Sequence, residues 1–283
     1  DSEDVGALST SQVAAISGEN LGYFSTAQVR SLSTSVIASL STTQIAGINP
    51  LAFGKLSTDQ LSAISSSQVA GITETDLLVL NTSQIASLAP SVVGALTSTQ
   101  LSQILANSAG LTTAQIRALT TGVLGGLNVN SLGSAQVAAL STAQVNRLSS
   151  TQVQLFSTSN VVGLAVDGLA SNVMTALTTA NIARLTQAQI QSLKTEQVAE
   201  LSSTQISVFG STGIGYLSTA QIVALSTSNV VSVDLAGFSG DQLGALETRD
   251  LAVLRTAQIA GLSTANIAGL ISSQLAALTT ENL

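Results

Sequence analysis

Fifteen acids, eight bases and no histidine or cysteine are all this 283-residue chain has for chemistry. Without His or Cys there is no ordinary zinc site, Ser-His-Asp triad or cysteine nucleophile. Carboxylates remain. Asp167 and Asp234 stand in two short irregular segments, "LAVDGL" and "VDLAGF", and make calcium the cation to consider. Calcium takes six to eight oxygens, usually from several carboxylates, so one Asp per segment is a thin ligand set. Paired carboxylates for glycoside hydrolysis have candidates in "GENLGYF" around Glu19 and "ETRDL" around Glu247. Acids also favour helix N-termini, and that role suits both sites better. "AFGKLST" around Lys55 has the Gly-Lys of a phosphate loop but lacks its first Gly and preceding strand. Tyr23 and Tyr216 each precede a large apolar residue and read as packing or surface residues. The chain is expected not to be an enzyme and to need no cofactor.

Composition narrows the class. Apolar residues are 45%, which is too many for a disordered tail, while aromatics at 2% are too few for an ordinary globular core. The net charge of −7 is spread thinly and no basic stripe exists, so nucleic acid is not expected as a partner. Mean hydropathy is positive, yet apolar pairs alternate with Ser, Thr, Gln or Asn. No run approaches the roughly 18 apolar residues of a spanning helix. The start "DSEDVGALSTSQ" lacks the features of a signal peptide, so any leader has been removed or lies outside this segment.

What must position these residues is an internal repeat. Large apolar residues recur every eight positions from Leu8 through Ile16, Phe24, Leu32 and Leu40 to Ile104. The frame slips by one to Leu111 and runs to Leu127. It restarts at Leu132, Leu169 and Phe238, and ends at Leu278. The phrase is L-[ST]-T-x-Q-[VI]-x-x. A strand would place the opening Leu and the Val/Ile five positions on at opposite faces. A helix unites them. With Ser/Thr as N-cap, Gln falls at N3 and forms a capping box; Leu at N′ and Val/Ile at N4 form a hydrophobic staple. Leu140, Ser141, Gln144 and Val145 show the four roles.

Pro50 and Pro90, the two prolines, both follow the cap directly, at N1, where a missing N–H is harmless. Gly47, Gly71, Gly163, Gly261 and Gly269 precede the next opening residue, where a left-handed C′ glycine would end a helix. Helices of under two turns cannot stand alone. The expected fold is therefore all-α: a solenoid of very short capped helices, one per octad, in a single continuous array over residues 1–283. The alternative is a β-solenoid with about three octads per coil, favoured by the abundant Val, Ile and Thr.

Three breaks, "LNVNSL" (127–132), "LAVDGL" (164–169) and "VDLAGF" (233–238), each insert a five-residue step. They read as corners or changes of superhelix direction, or as ligand sites through Asp167 and Asp234. A fourth, "LSQILANSAGL" (101–111, with the slip at 104–111), reads as one longer helix ending at Gly110.

The units "LSTAQI", "LSTAQV" and "LTTAQI" resemble octad arrays in large secreted bacterial surface proteins, of the adhesin and haemolysin-type calcium-binding class. The resemblance covers nearly the whole chain. It implies an extracellular, cell-surface location and a structural or adhesive role. The calcium nonapeptide G-G-x-G-x-D of that class is absent, so calcium dependence does not carry over. The expected function is a stalk, filament or surface-layer segment that associates with itself. The alternative is a module holding polysaccharide on Ser/Thr/Gln rows. Asp1, Asp4 and Val5 open the chain in the cap, N3 and N4 roles, and "LTTENL" closes it at N4 with Leu283. That reads as a segment of a longer array, or one that joins end to end.

Overall fold

A computed structural model describes residues 1–105 and 110–278. The chain divides into two compact units, Asp1–Arg147 and Leu148–Leu283. In both, the described residues contain short α- and 3-10 helices and no strand. The β-solenoid alternative is thereby set aside.

Most octads fold as the capping grammar requires. Ser41 opens the helix Thr42–Gly47: its Oγ accepts the Gln44 N–H, and its own N–H donates to Gln44 Oε1 at 2.9 Å. Ser141 and Gln144 do the same ahead of Thr142–Val145. Asp1 and Asp4 form the box that opens Ser2–Gly6. Both prolines take N1, in Pro50–Phe53 and Pro90–Ala95. The α-helices run four to eight residues, the longest being Ser98–Leu105. The longer helix expected across 101–111 is that element; residues 106–109 lie outside the described ones, as does the chain end through Leu283.

The way helices end differs from expectation. Gly210 is the one described glycine with positive φ, at 60°, so the repeat's glycines supply no left-handed caps. Instead the opening apolar residue of the next octad turns the chain. Leu32, at φ −59° and ψ 135°, donates its N–H to the Val29 carbonyl and leaves the helix in an extended conformation. The following Ser33 is also extended, at ψ 157°. Two extended residues between helices make a corner. The glycines serve close packing: a Cβ on Gly47 would collide with the backbone of Gly18, and one on Gly71 with that of Thr42.

Three corners close a coil. Thr10–Ala14 packs against Thr34–Ser39, Gly18–Leu21 against Thr42–Gly47, and Thr26–Ser31 against Pro50–Phe53, always three octads on. The second compact unit repeats this, with Ser171–Met174 against Thr195–Glu200 and Thr248–Leu251 against Ser272–Ala277. Three octads per coil, the geometry attached to the β alternative, thus belongs to the helical solenoid.

Inside run two apolar side chains per octad. Val13, Ile37 and Ile45 at N4 and Leu32, Leu40 and Ile48 at the corners are all buried. Burying one such side chain stabilises by about 1.5–3 kcal/mol, which is what lets helices too short to persist alone hold together.

The five-residue steps are also sides of the coil. Each carries one 3-10 turn, Val129–Ser131, Val166–Gly168 or Leu235–Gly237, whose Val129, Val166 or Leu235 takes the buried N4 place. Stacking three sides on continues across them: Ser150–Gln154 packs on Ser171–Met174, and Gly210–Ile214 on Leu235–Gly237. They shorten a side without ending the coil, because one buried apolar residue between two corners is all a side must provide.

Candidate functional site

Where an octad carries Gln at N3 and another coil precedes it, as at Gln44, the fold uses both ends of the amide. Oε1 closes the capping box. Nε2 points into the preceding coil, where Gln44 donates to the carbonyls of Val13 and Ile16, both at 2.8 Å. Gln68 does so to Ile37 and Leu40, Gln100 to Val69 and Ile72, and Gln221 to Ile190 and Leu193. These amides are buried, and a buried polar group must be paired to avoid a penalty of about 1–3 kcal/mol. The box survives loss of its hydroxyl: the backbone N–H groups of Lys194, Arg255 and Ile271 still donate to Gln197, Gln258 and Gln274. Gln is therefore the coil-to-coil connector, a role that sequence reasoning missed. Its signal was the persistence of Gln at N3 in octads where no capping residue precedes it, as at Gln197, Gln258 and Gln274.

Asn181, Asn229 and Asn266 occupy the same place with a shorter side chain. Each donates one bond, to the corner carbonyl of Phe156, Leu201 or Phe238. Two aspartates also stand there, Asp76 and Asp250, both buried. Asp250 Oδ1 accepts the Thr227 hydroxyl at 2.9 Å. Asp76 Oδ2 accepts the N–H and hydroxyl of Thr73 at 2.8 and 2.7 Å, while its Oδ1 is buried without a partner. Burial pushes the Asp76 carboxyl above its ordinary range, opposed by the two bonds from Thr73. Sequence reading passed over Asp76 because an acid at N3 looks like a normal capping residue.

With most of the repeat's Gln inside, the exposed rows are Ser and Thr rather than the expected Ser/Thr/Gln. Ser9 pairs with Ser11 at 3.0 Å and Ser33 with Ser35 at 2.9 Å, on helices stacked three octads apart. Ser41 with Thr43 and Ser65 with Ser67 form a like pair on another side. A shallow groove between coils is lined by small polar and apolar residues, among them Ala46, Ser66, Ser67, Thr97 and Thr99.

The predicted site residues are not brought together. Asp167 lies half-buried in the 3-10 turn Val166–Gly168, and Asp234 is exposed, capping Leu235–Gly237 through the Ala236 N–H at 3.0 Å. Among the described residues no three Asp or Glu side chains gather as a metal site needs. Glu19 is exposed in the first turn of Gly18–Leu21; Glu247 pairs with Arg249 at 2.8 Å ahead of Thr248–Leu251. Lys55 and Tyr23 are exposed and Tyr216 half-buried. No helix among the described residues is long and apolar enough to cross a membrane.

Three segments, 1–34, 129–166 and 243–280, match the family model of the ALTTAQ repeat. The chain is a repeat protein, and these segments, well under half of it, carry that repeat. No curated protein matches it. Among solved structures, the crystal structure of the leucine-rich repeat-containing protein LegL7 from Legionella pneumophila matches at 10% identity, over 81% of this chain and 78% of that one. Its TM-score of 0.22 is too low to carry any argument.

Proposed function

We propose that this chain is a non-enzymatic, extracellular structural repeat, a stalk, filament or surface-layer segment that associates with itself. The observation that carries this reading is where the repeat's polar groups are used. Its Gln binds one coil to the next, its Ser and Thr cap helices, and among the described residues no three acids gather as a metal site needs. What the surface presents is regular, weakly charged rows of hydroxyls. A net charge of −7 over 283 residues opposes lateral packing only weakly. The extracellular setting rests on the resemblance to surface-protein arrays. Sedimentation and negative-stain electron microscopy of the purified chain over a rising concentration series test the reading. Ordered fibres or sheets are expected. A chain that stays monomeric throughout, and is retained on immobilised polysaccharide, would replace it with a glycan-binding module acting through the Ser and Thr rows.

A further inference from the structure

Asp76 stands where the repeat places a donor, yet a carboxylate has none to give. In all-octad coils the side chain at this place addresses the corner carbonyl 28 residues back, as Gln44 does to Ile16 and Gln68 to Leu40. Asn266, the same length as Asp, makes that bond to Phe238, also 28 residues back, while its Oδ1 accepts from Ser263. Asp76 reproduces the second half of this arrangement with Thr73. By the same register its Oδ1, buried without a partner, takes the place of the Asn amide nitrogen, 28 residues on from the corner residue Ile48. The register thus directs a buried acceptor toward the Ile48 carbonyl, itself an acceptor.

Asp250 shows how the second compact unit avoids this. The third residue of the octad beneath it, counting from its corner Leu225, is Thr227, whose hydroxyl supplies a donor. Beneath Asp76 the corresponding residue, counting from Ile48, is Pro50, which has neither hydroxyl nor N–H. Ala52 and Val92, at the connector place of their own octads, also offer no donor to the coil before, but they put no second acceptor there.

We infer that Asp76 is a proton-held latch: its Oδ1 carries a proton and donates it to the Ile48 carbonyl, joining two coils at low pH and releasing them as pH rises. The proton moves only between Oδ1 and solvent, and no other bond changes. Burial, which raises the carboxyl's proton affinity, acts in the same direction. Of the helices packed on Glu74–Leu78, neither Pro50–Phe53 nor Ser98–Leu105 carries a titratable residue. Lys55 follows the first and is exposed; Glu74 precedes Asp76 on its own helix and is exposed. Because the folded carboxyl is shifted upward, its contribution to stability is whole below its unfolded value. It is lost as pH rises through the folded one.

The test uses the full chain, wild type and Asp76→Asn, whose amide matches the bond of Asn266. Hydrogen exchange over residues 45–53 and 73–80 is compared at equal pH from 4 to 9, which cancels the intrinsic pH dependence. The ratio of wild-type to variant exchange is expected to sit near one at the acid end and to climb at least tenfold at the alkaline end. The wild-type Asp76 carboxyl carbon shift is followed in parallel, with its midpoint expected above the ordinary carboxylate range; it needs no variant to fold. A flat exchange ratio, or a carboxyl that titrates at or below that range, overturns the latch.

Discussion

Gln44 in the first compact unit and Gln189 in the second make the same two hydrogen bonds across coils of different length, each beside the capping bond within its own octad. Gln44 reaches carbonyls 31 and 28 residues back, through three full octads. Gln189 reaches Val161 and Leu164, 28 and 25 residues back, because its coil contains the short side 164–169. Both bind the corner residue that opens the side beneath and the N4 residue of the side before that corner, at 2.8–2.9 Å. Gln115 does likewise across the one-residue slip, at 30 and 27. Register is therefore set by sides, not by residues. A side is whatever lies between two buried corners and contributes one buried apolar residue. The octad is the commoner way to make one, and the five-residue step is a shorter way.

The largest effect should come from removing the connector itself. Gln44→Ala and Gln189→Ala each strand two buried carbonyls and one N–H, a cost of about 3–5 kcal/mol. Urea denaturation should give the same loss for both within about 1 kcal/mol. A markedly smaller loss at Gln189 would mean that the short-sided coil is held by something else, and the equivalence would fail.

A middle-sized effect probes how closely sides approach. Gly47→Ala drives a Cβ into the backbone of Gly18 and should cost about 1–3 kcal/mol as the coils part. Gly122→Ala, with open space around the added atom, should be neutral or stabilising by up to about 1 kcal/mol. Equal losses of thermal stability in the two would argue that these glycines serve the turn and not the packing.

The smallest effect concerns the helix start. Thr142→Pro places proline at N1 behind an extended Ser141, as the native Pro50 and Pro90 are placed, and should change stability by under about 1 kcal/mol. Gln144→Pro at N3 deletes the bonds to Ser141, Ile116 and Leu119 and should approach the loss seen for Gln44→Ala. Comparable melting temperatures for these two would contradict the capping register on which the comparison rests.

Much of this fold was legible in single octads. Cap, box, staple and proline at N1 are relations among residues within five positions of one another, so Ser141, Gln144 and Val145 declare them without knowledge of any other coil. The glycines misled because their placement before a corner imitates a C′ cap. Only the neighbouring backbone of Gly18 reveals that Gly47 is there for want of a side chain. The five-residue steps likewise looked like interruptions until the connectors were seen to count them as sides.

The sequence by itself determined the helices, their starts and the two apolar residues each sends inward, because nearest-neighbour hydrogen bonds and a helical period decide these. The tertiary structure alone decided that three sides close a coil, that Gln faces the carbonyls of the coil before, and that Asp76 stands there with Pro50 beneath it. Those facts join residues 25 to 31 positions apart, and in a repeat this uniform every coil length is written in the same letters. The choice among them falls to whichever closure buries the corners and satisfies the amides together.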